Sequence, residues 1–106
     1  DKIADCAAYL DGVDQVIAIG ANCTPPEFIE DLTKNIRTKT KKRILAYPNS
    51  GEIFDGVKKT WAQPATDIPS FVALAYKWKE AGCSMFGGCC RTNYDYISAL
   101  REVADK

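Results

Sequence analysis

Apolar residues along this chain alternate between two patterns. Short apolar runs occur at Val16–Ala21, Arg43–Tyr47 and Cys83–Phe86, the first of them rich in β-branched residues, as in buried parallel strands. Between and around them the spacing is helical. Ile3, Cys6, Ala7 and Leu10 predict a first helix closed by Gly12. Thr24-Pro25-Pro26-Glu27 predicts a second helix start, with Thr24 as N-cap, Pro25 at the first helical position and Glu27 completing a capping box. Phe28, Ile29, Leu32 and Ile36 form its stripe, which frays near Thr38–Thr40. Pro48-Asn49-Ser50-Gly51 stops the second strand, and Glu52–Thr66, with Trp61 and Pro64, is predicted as a long loop. Asp67 and Pro69 open a third helix carrying Phe71, Leu74, Ala75 and Trp78, with Gly82 at its end. The last helix is predicted from about Asn93 to Ala104 behind Thr92 as N-cap, with Tyr94, Ile97, Leu100, Arg101 and Val103 in its pattern.

The order α-β-α-β-loop-α-β-α predicts an α/β fold with parallel strands and right-handed helical crossovers, in one domain covering residues 1–106. Three strands are few for a parallel sheet. The arrangement is either a minimal α/β sandwich or about three-eighths of a (β/α)₈ barrel, which needs roughly 250 residues. In the second case sheet edges lie open, and self-association through them is expected.

Composition narrows the chemistry. Fourteen Lys and Arg balance fourteen Asp and Glu, which argues against nucleic acid or an acidic membrane as partner. The basic stretch Lys39–Arg43 reads as a solvated helix end. No apolar run has bilayer length, and a signal-peptide pattern is absent from the sequence. Histidine is missing, which removes Ser-His and Cys-His nucleophile pairs and histidine metal ligands. The five cysteines, Cys6, Cys23, Cys83, Cys89 and Cys90, are an odd number, so a reducing, cytoplasmic setting is expected rather than a disulfide framework. Cys6 and Cys83 sit inside element patterns and read as small core residues.

The chemistry gathers at Gly87-Gly88-Cys89-Cys90-Arg91-Thr92. Neighbouring strand residues face opposite ways, so adjacent thiols address one point only if the backbone turns sharply, which the two glycines permit. Parallel strands would place Cys23, Tyr47-Pro48-Asn49 and Cys89-Cys90 at strand C-terminal ends, beside helix N-termini that favour thiolate. Three thiolates suit Zn²⁺ and leave its fourth position for an incoming thiol. A dithiol redox pair at Cys89-Cys90 and plain buried cysteines remain as alternatives; the first needs a strained vicinal disulfide.

Three motifs together, Gly20-Ala21-Asn22-Cys23-Thr24-Pro25-Pro26, Tyr47-Pro48-Asn49-Ser50-Gly51-Glu52 and Gly87-Gly88-Cys89-Cys90-Arg91-Thr92, strongly resemble the homocysteine S-methyltransferase family. The resemblance is to its S-methylmethionine- or S-adenosylmethionine-dependent branch. It implies a (β/α)₈ TIM barrel of which this chain is the C-terminal part, about strands six to eight, with Cys23, Cys89 and Cys90 as ligands of a catalytic zinc. It further implies transfer of a methyl group from a sulfonium donor to the thiol of homocysteine, giving methionine, with Tyr47 to Glu52 lining the pocket. A selenocysteine acceptor belongs to the same range. The family's N-terminal strands, which grip the amino-acid end of homocysteine, have no counterpart here, so a non-catalytic zinc- or thiol-binding module is the alternative. Where the family has Thr-Pro after Arg-Thr, this chain has Asn93-Tyr94, and Asn93 competes with Thr92 as N-cap.

Asn22, Tyr47 and Asn49 are candidate substrate-binding residues. For Asn22 a hydrogen bond near the metal stands level with a left-handed turn. Asn49 reads first as a loop-fixing residue. Arg91 reads first as a salt-bridge residue and second as a partner for a substrate carboxylate. Trp61 and Trp78 read as packing residues.

Overall fold

Three strands carry the predicted alternation. In chain order the elements are α1 (Ile3–Asp11), β1 (Ala18–Asn22), a 3₁₀ turn (Pro26–Phe28), α2 (Ile29–Arg37), β2 (Arg43–Tyr47), β3 (Ile53–Asp55), β4 (Thr60–Ala62), α3 (Ile68–Ala81), β5 (Cys83–Phe86) and α4 (Tyr94–Asp105). This is a computed structural model, and it describes residues 1–62 and 64–106. β1, β2 and β5 form one parallel sheet in the order β1-β2-β5, with Asn22 level with Tyr47 and Ala46 level with Phe86.

The sheet is covered from one side. Ile19, Ile44, Ala46 and Cys83 join Ile29 and Ile36 of α2, Phe71, Ala75 and Trp78 of α3, and Tyr96, Leu100 and Val103 of α4 in a single core, with Ala7 of α1 at its margin. α2 packs on β1 and β2, and α3 and α4 pack on β5. At the centre Phe71 meets Trp78 and Tyr96 edge-on, with ring centroids 5.4 and 5.1 Å apart. The alternate strand positions, Ala18, Gly20, Asn22, Leu45 and Tyr47, are half-buried or exposed. Burial with a period of two on β2 is therefore complete on the helix side only.

Several local expectations hold and several give way. Asp67 caps α3 by accepting the Ser70 N–H at 2.8 Å, and Gly82 closes that helix at φ 122°, as predicted. The capping box at Thr24 does not form. Thr24 Oγ1 instead donates back to the Asn22 carbonyl at 2.9 Å, and the chain enters α2 through a 3₁₀ turn that begins at Pro26. Asn93, not Thr92, caps α4, accepting the Asp95 N–H at 3.0 Å. Gly12 ends α1 at an ordinary negative φ.

Residues predicted as a loop contain the β3–β4 hairpin, in which Phe54 pairs with Trp61 edge-on, 5.2 Å between centroids. Its sequence signal is Asp55-Gly56 between two short apolar pairs. The Asp55 carboxylate accepts the Val57 and Lys58 N–H groups, and Lys59 takes the left-handed turn position at φ 54°. Cys83 is buried as expected. Cys6 is exposed instead, although Ile3, Ala7 and Leu10 of the same helix pack against the core. Lys42 of the basic stretch is tied down, donating to the Val13 and Val16 carbonyls at 3.1 and 2.8 Å.

Candidate metal centre

The segment after the central strand β2 joins both thiol-bearing loops. On one side, the Cys23 N–H donates to the Tyr47 carbonyl at 3.2 Å, and the Asn49 N–H donates to the Thr24 carbonyl at 2.9 Å. On the other, the Cys89 N–H donates to the Pro48 carbonyl at 2.8 Å, and the Ser50 N–H donates to the Cys90 carbonyl at 3.1 Å. The Asn49 side chain adds its Oδ1 as acceptor for the Cys90 N–H at 3.2 Å. Tyr47–Ser50 thus works as a rail holding three cysteines in register, made possible because β2 lies between β1 and β5. Pro48 and Ser50 are fully buried, as such a rail requires.

The turn itself is built differently from the sequence expectation. Neither Gly87 nor Gly88 has a positive φ; the left-handed positions are Cys23 at φ 52° and Arg91 at φ 67°. Non-glycine residues there pay a steric penalty at Cβ, so surrounding contacts must hold them. The glycines are needed for room. A Cβ at Gly88 would collide with the Thr92 hydroxyl, and one at Gly87 would lie 3.1 Å from the Tyr47 Cβ. Thr92 occupies that space because its Oγ1 and N–H both donate to the Cys89 carbonyl, at 2.7 and 3.2 Å.

These loops bring together the sulfurs of Cys23, Cys89 and Cys90, all within 4.8 Å of one another. Cys90 Sγ is 3.5 Å from Cys23 Sγ and 4.0 Å from Cys89 Sγ. Three sulfurs on a tetrahedral zinc, each at about 2.3 Å, stand about 3.8 Å apart. The three thiols therefore fit Zn²⁺ in number, type and spacing. Cys23 is exposed and the other two are half-buried, so the cluster opens to solvent on one side.

The remaining candidates fall into place around it. Asn22 is exposed at the end of β1; the left-handed turn lies one residue later, at Cys23. Tyr47 is half-buried beside Gly87. Arg91 forms the expected salt bridge, Nε to Glu52 Oε2 at 2.9 Å, and its guanidinium lies 6.0 Å from the Trp61 ring centroid. The hydrogen bond from Arg91 holds the Glu52 carboxyl below its ordinary range. Trp61 packs in the hairpin and Trp78 in the core. Cys83 stays outside the cluster: burial pushes its thiol up to about 11, and it donates to the Ile44 and Met85 carbonyls. Sequence reasoning placed Ser50 in a pocket-lining motif without its backbone role and missed the hairpin as part of the site's framework.

The sequence profile described as homocysteine S-methyltransferase matches residues 1–104. The chain belongs to the homocysteine S-methyltransferase family. It is 43% identical over 104 residues to homocysteine S-methyltransferase 3 of Arabidopsis thaliana, a match covering 97% of this chain and 30% of that protein. Selenocysteine methyltransferase of Astragalus bisulcatus is 44% identical over 105 residues, covering 97% of this chain and 31% of the relative. Among solved structures, the metallated form of the Escherichia coli homocysteine methyltransferase MmuM superposes with a TM-score of 0.72 at 29% identity, over 94% of this chain and 28% of that one. The chain spans about a third of the length of the curated relatives it matches. Both the α/β class and the family expected from the three motifs are thereby established.

Proposed function

We propose that these residues form the metal-holding part of an enzyme that moves a methyl group from a sulfonium donor, S-methylmethionine or S-adenosylmethionine, to the thiol of homocysteine, giving methionine. The observation that carries this reading is the convergence of Cys23, Cys89 and Cys90 within zinc-binding distance of one another. Zn²⁺ held by three thiolates supplies a Lewis acid that keeps an acceptor thiol ionised near neutral pH. Cys23, Cys89 and Cys90 would hold it, and the solvent-facing side of the cluster admits the acceptor. Asn22 and Tyr47 end β1 and β2 and Asn49 follows Tyr47, and these three would contact the acceptor and donor; Asn49 also fixes Cys90.

In the reaction the acceptor thiolate attacks the donor methyl carbon. The carbon–sulfur bond of the sulfonium breaks, and its electron pair returns to the donor sulfur as a neutral thioether. The leaving group needs no protonation, so the protein's task is to position, desolvate and present the nucleophile. A chain without histidine can do this.

Three further points belong to the same proposal. The sheet's one-sided covering supports its being about strands six to eight of a (β/α)₈ barrel, whose interior would lie against Gly20, Leu45 and Tyr47. A reducing, cytoplasmic setting would keep the ligands as thiols. Open sheet edges would make these residues self-associate when alone, seen as a sedimentation coefficient that rises with concentration; a concentration-independent monomer would count against it.

Methionine formation tests the activity directly. The intact protein, zinc-loaded and supplied with homocysteine, is expected to make methionine from at least one of the two sulfonium donors. Zinc bound with no product from either donor would favour a non-catalytic thiol- or zinc-binding module. The selenocysteine methyltransferase relative makes selenocysteine the second acceptor to assay.

A further inference from the structure

The N–H and C=O of Cys90 are both held by the rail, but the rotation that follows, at Arg91, is not. Its φ of 67° is costly for a residue with a Cβ, and it decides where Thr92 lies. With this rotation Thr92 folds back onto the Cys89 carbonyl and fills the space beside Gly88. With an ordinary φ it would swing away and the dithiol turn would open.

What holds Arg91 in this state is a closed circuit of contacts. Arg91 Nε donates to Glu52 Oε2 at 2.9 Å, and Ser50 Oγ donates to the same oxygen at 3.2 Å. The Ser50 N–H then returns to the Cys90 carbonyl at 3.1 Å. On its other side the guanidinium lies over Trp61 of β4. An ion pair this exposed contributes little to global stability, so the effect of the circuit is local.

We infer that Arg91, clamped by Glu52 and laid over Trp61, is a positioning residue that sets the direction of the Cys89 and Cys90 thiols toward their metal and ties the β3–β4 hairpin to that centre. The inference rests on the metal-centre reading above. Partners beyond the ligands themselves commonly control metal affinity about 10- to 100-fold, which sets the size of the effect.

Cobalt(II) uptake by the intact, reduced protein, in competition with a chelator, tests it. The sulfur-to-cobalt charge-transfer band reports how many thiolates reach the ion. Arg91→Ala and the near-isosteric Glu52→Gln are each expected to weaken cobalt binding about 10- to 100-fold and to reduce that band. The double variant is expected to lose no more than either alone, because both break one circuit. Arg91→Lys, which keeps a cation for Glu52 and Trp61, should recover part of the affinity. Arg91→Gly removes the clamp and the backbone cost together, so it should bind more weakly than the parent but no more weakly than Arg91→Ala. Parent-like binding by Arg91→Gly would show that only the backbone matters and overturn the inference. So would cobalt affinities of Arg91→Ala and Glu52→Gln within about twofold of the parent. A parent protein that takes up no cobalt would instead overturn the metal-centre reading and this inference with it.

Discussion

Cys90→Ser is expected to abolish stoichiometric zinc retention while leaving the fold in place. Cys90 Sγ is the shared vertex of the cluster, 3.5 Å from Cys23 Sγ and 4.0 Å from Cys89 Sγ, so its loss leaves two sulfurs that no longer define a site. Serine matches cysteine in shape but offers a hydroxyl that stays protonated where a thiol bound to zinc does not. Cys89→Ser and Cys23→Ser should behave alike. Cys83→Ser and Cys6→Ser should retain zinc fully: Cys83 is buried with its thiol pushed up to about 11, and Cys6 lies exposed on α1. Metal analysis after dialysis of reduced protein, with circular dichroism to confirm folding, checks the series. Zinc retained by all three cluster variants would mean that the metal sits elsewhere.

Phe71→Ala is expected to remove about 3–5 kcal/mol of stability, the usual cost of deleting a fully buried phenyl group. Phe71 is wholly inaccessible and stands between Trp78 on its own helix and Tyr96 on α4. Truncation leaves a cavity that neither ring can fill without losing its edge contact. Total stabilities of about 5–15 kcal/mol make such a loss close to unfolding for a small domain. A milder partner is Tyr96→Phe, which keeps the ring packing and removes only the hydroxyl that donates to the Thr66 carbonyl at 2.7 Å. Urea denaturation should order the three proteins as parent, Tyr96→Phe, Phe71→Ala. An unchanged midpoint for Phe71→Ala would contradict the packing described here.

The parallel α/β alternation was legible because each strand is a short apolar run followed by a polar turn and a helical stripe. The two sides of the sheet were harder to separate. Gly20, Leu45 and Tyr47 look as apolar or neutral as core residues, and only the placement of all four helices in one core shows that they face away from it. Asp67 and Gly82 were readable as caps because each acts through its own backbone neighbours. Thr24 failed as a cap because its hydroxyl turns back to the Asn22 carbonyl and the chain enters α2 through a 3₁₀ turn. The hairpin was hidden by its brevity, three residues in each strand, although Asp55-Gly56 marked its turn.

At the metal centre, strand-end placement singled out the three cysteines and motif resemblance implied their role as ligands; their convergence has a physical cause in the Tyr47–Ser50 rail. That rail was invisible to pattern reading, since its bonds run through backbone atoms shared by three distant segments. The role of the glycines also changed. They provide room for Thr92 and Tyr47, while Cys23 and Arg91 adopt the left-handed turns.

The central claim is that Cys23, Cys89 and Cys90 bind one zinc ion together. X-ray absorption at the zinc edge of the reduced, zinc-loaded protein tests it most directly. The arrangement predicts a first shell with three sulfur scatterers at about 2.3 Å and one further light or sulfur ligand. A shell made of oxygen and nitrogen alone, or with a single sulfur, would contradict it.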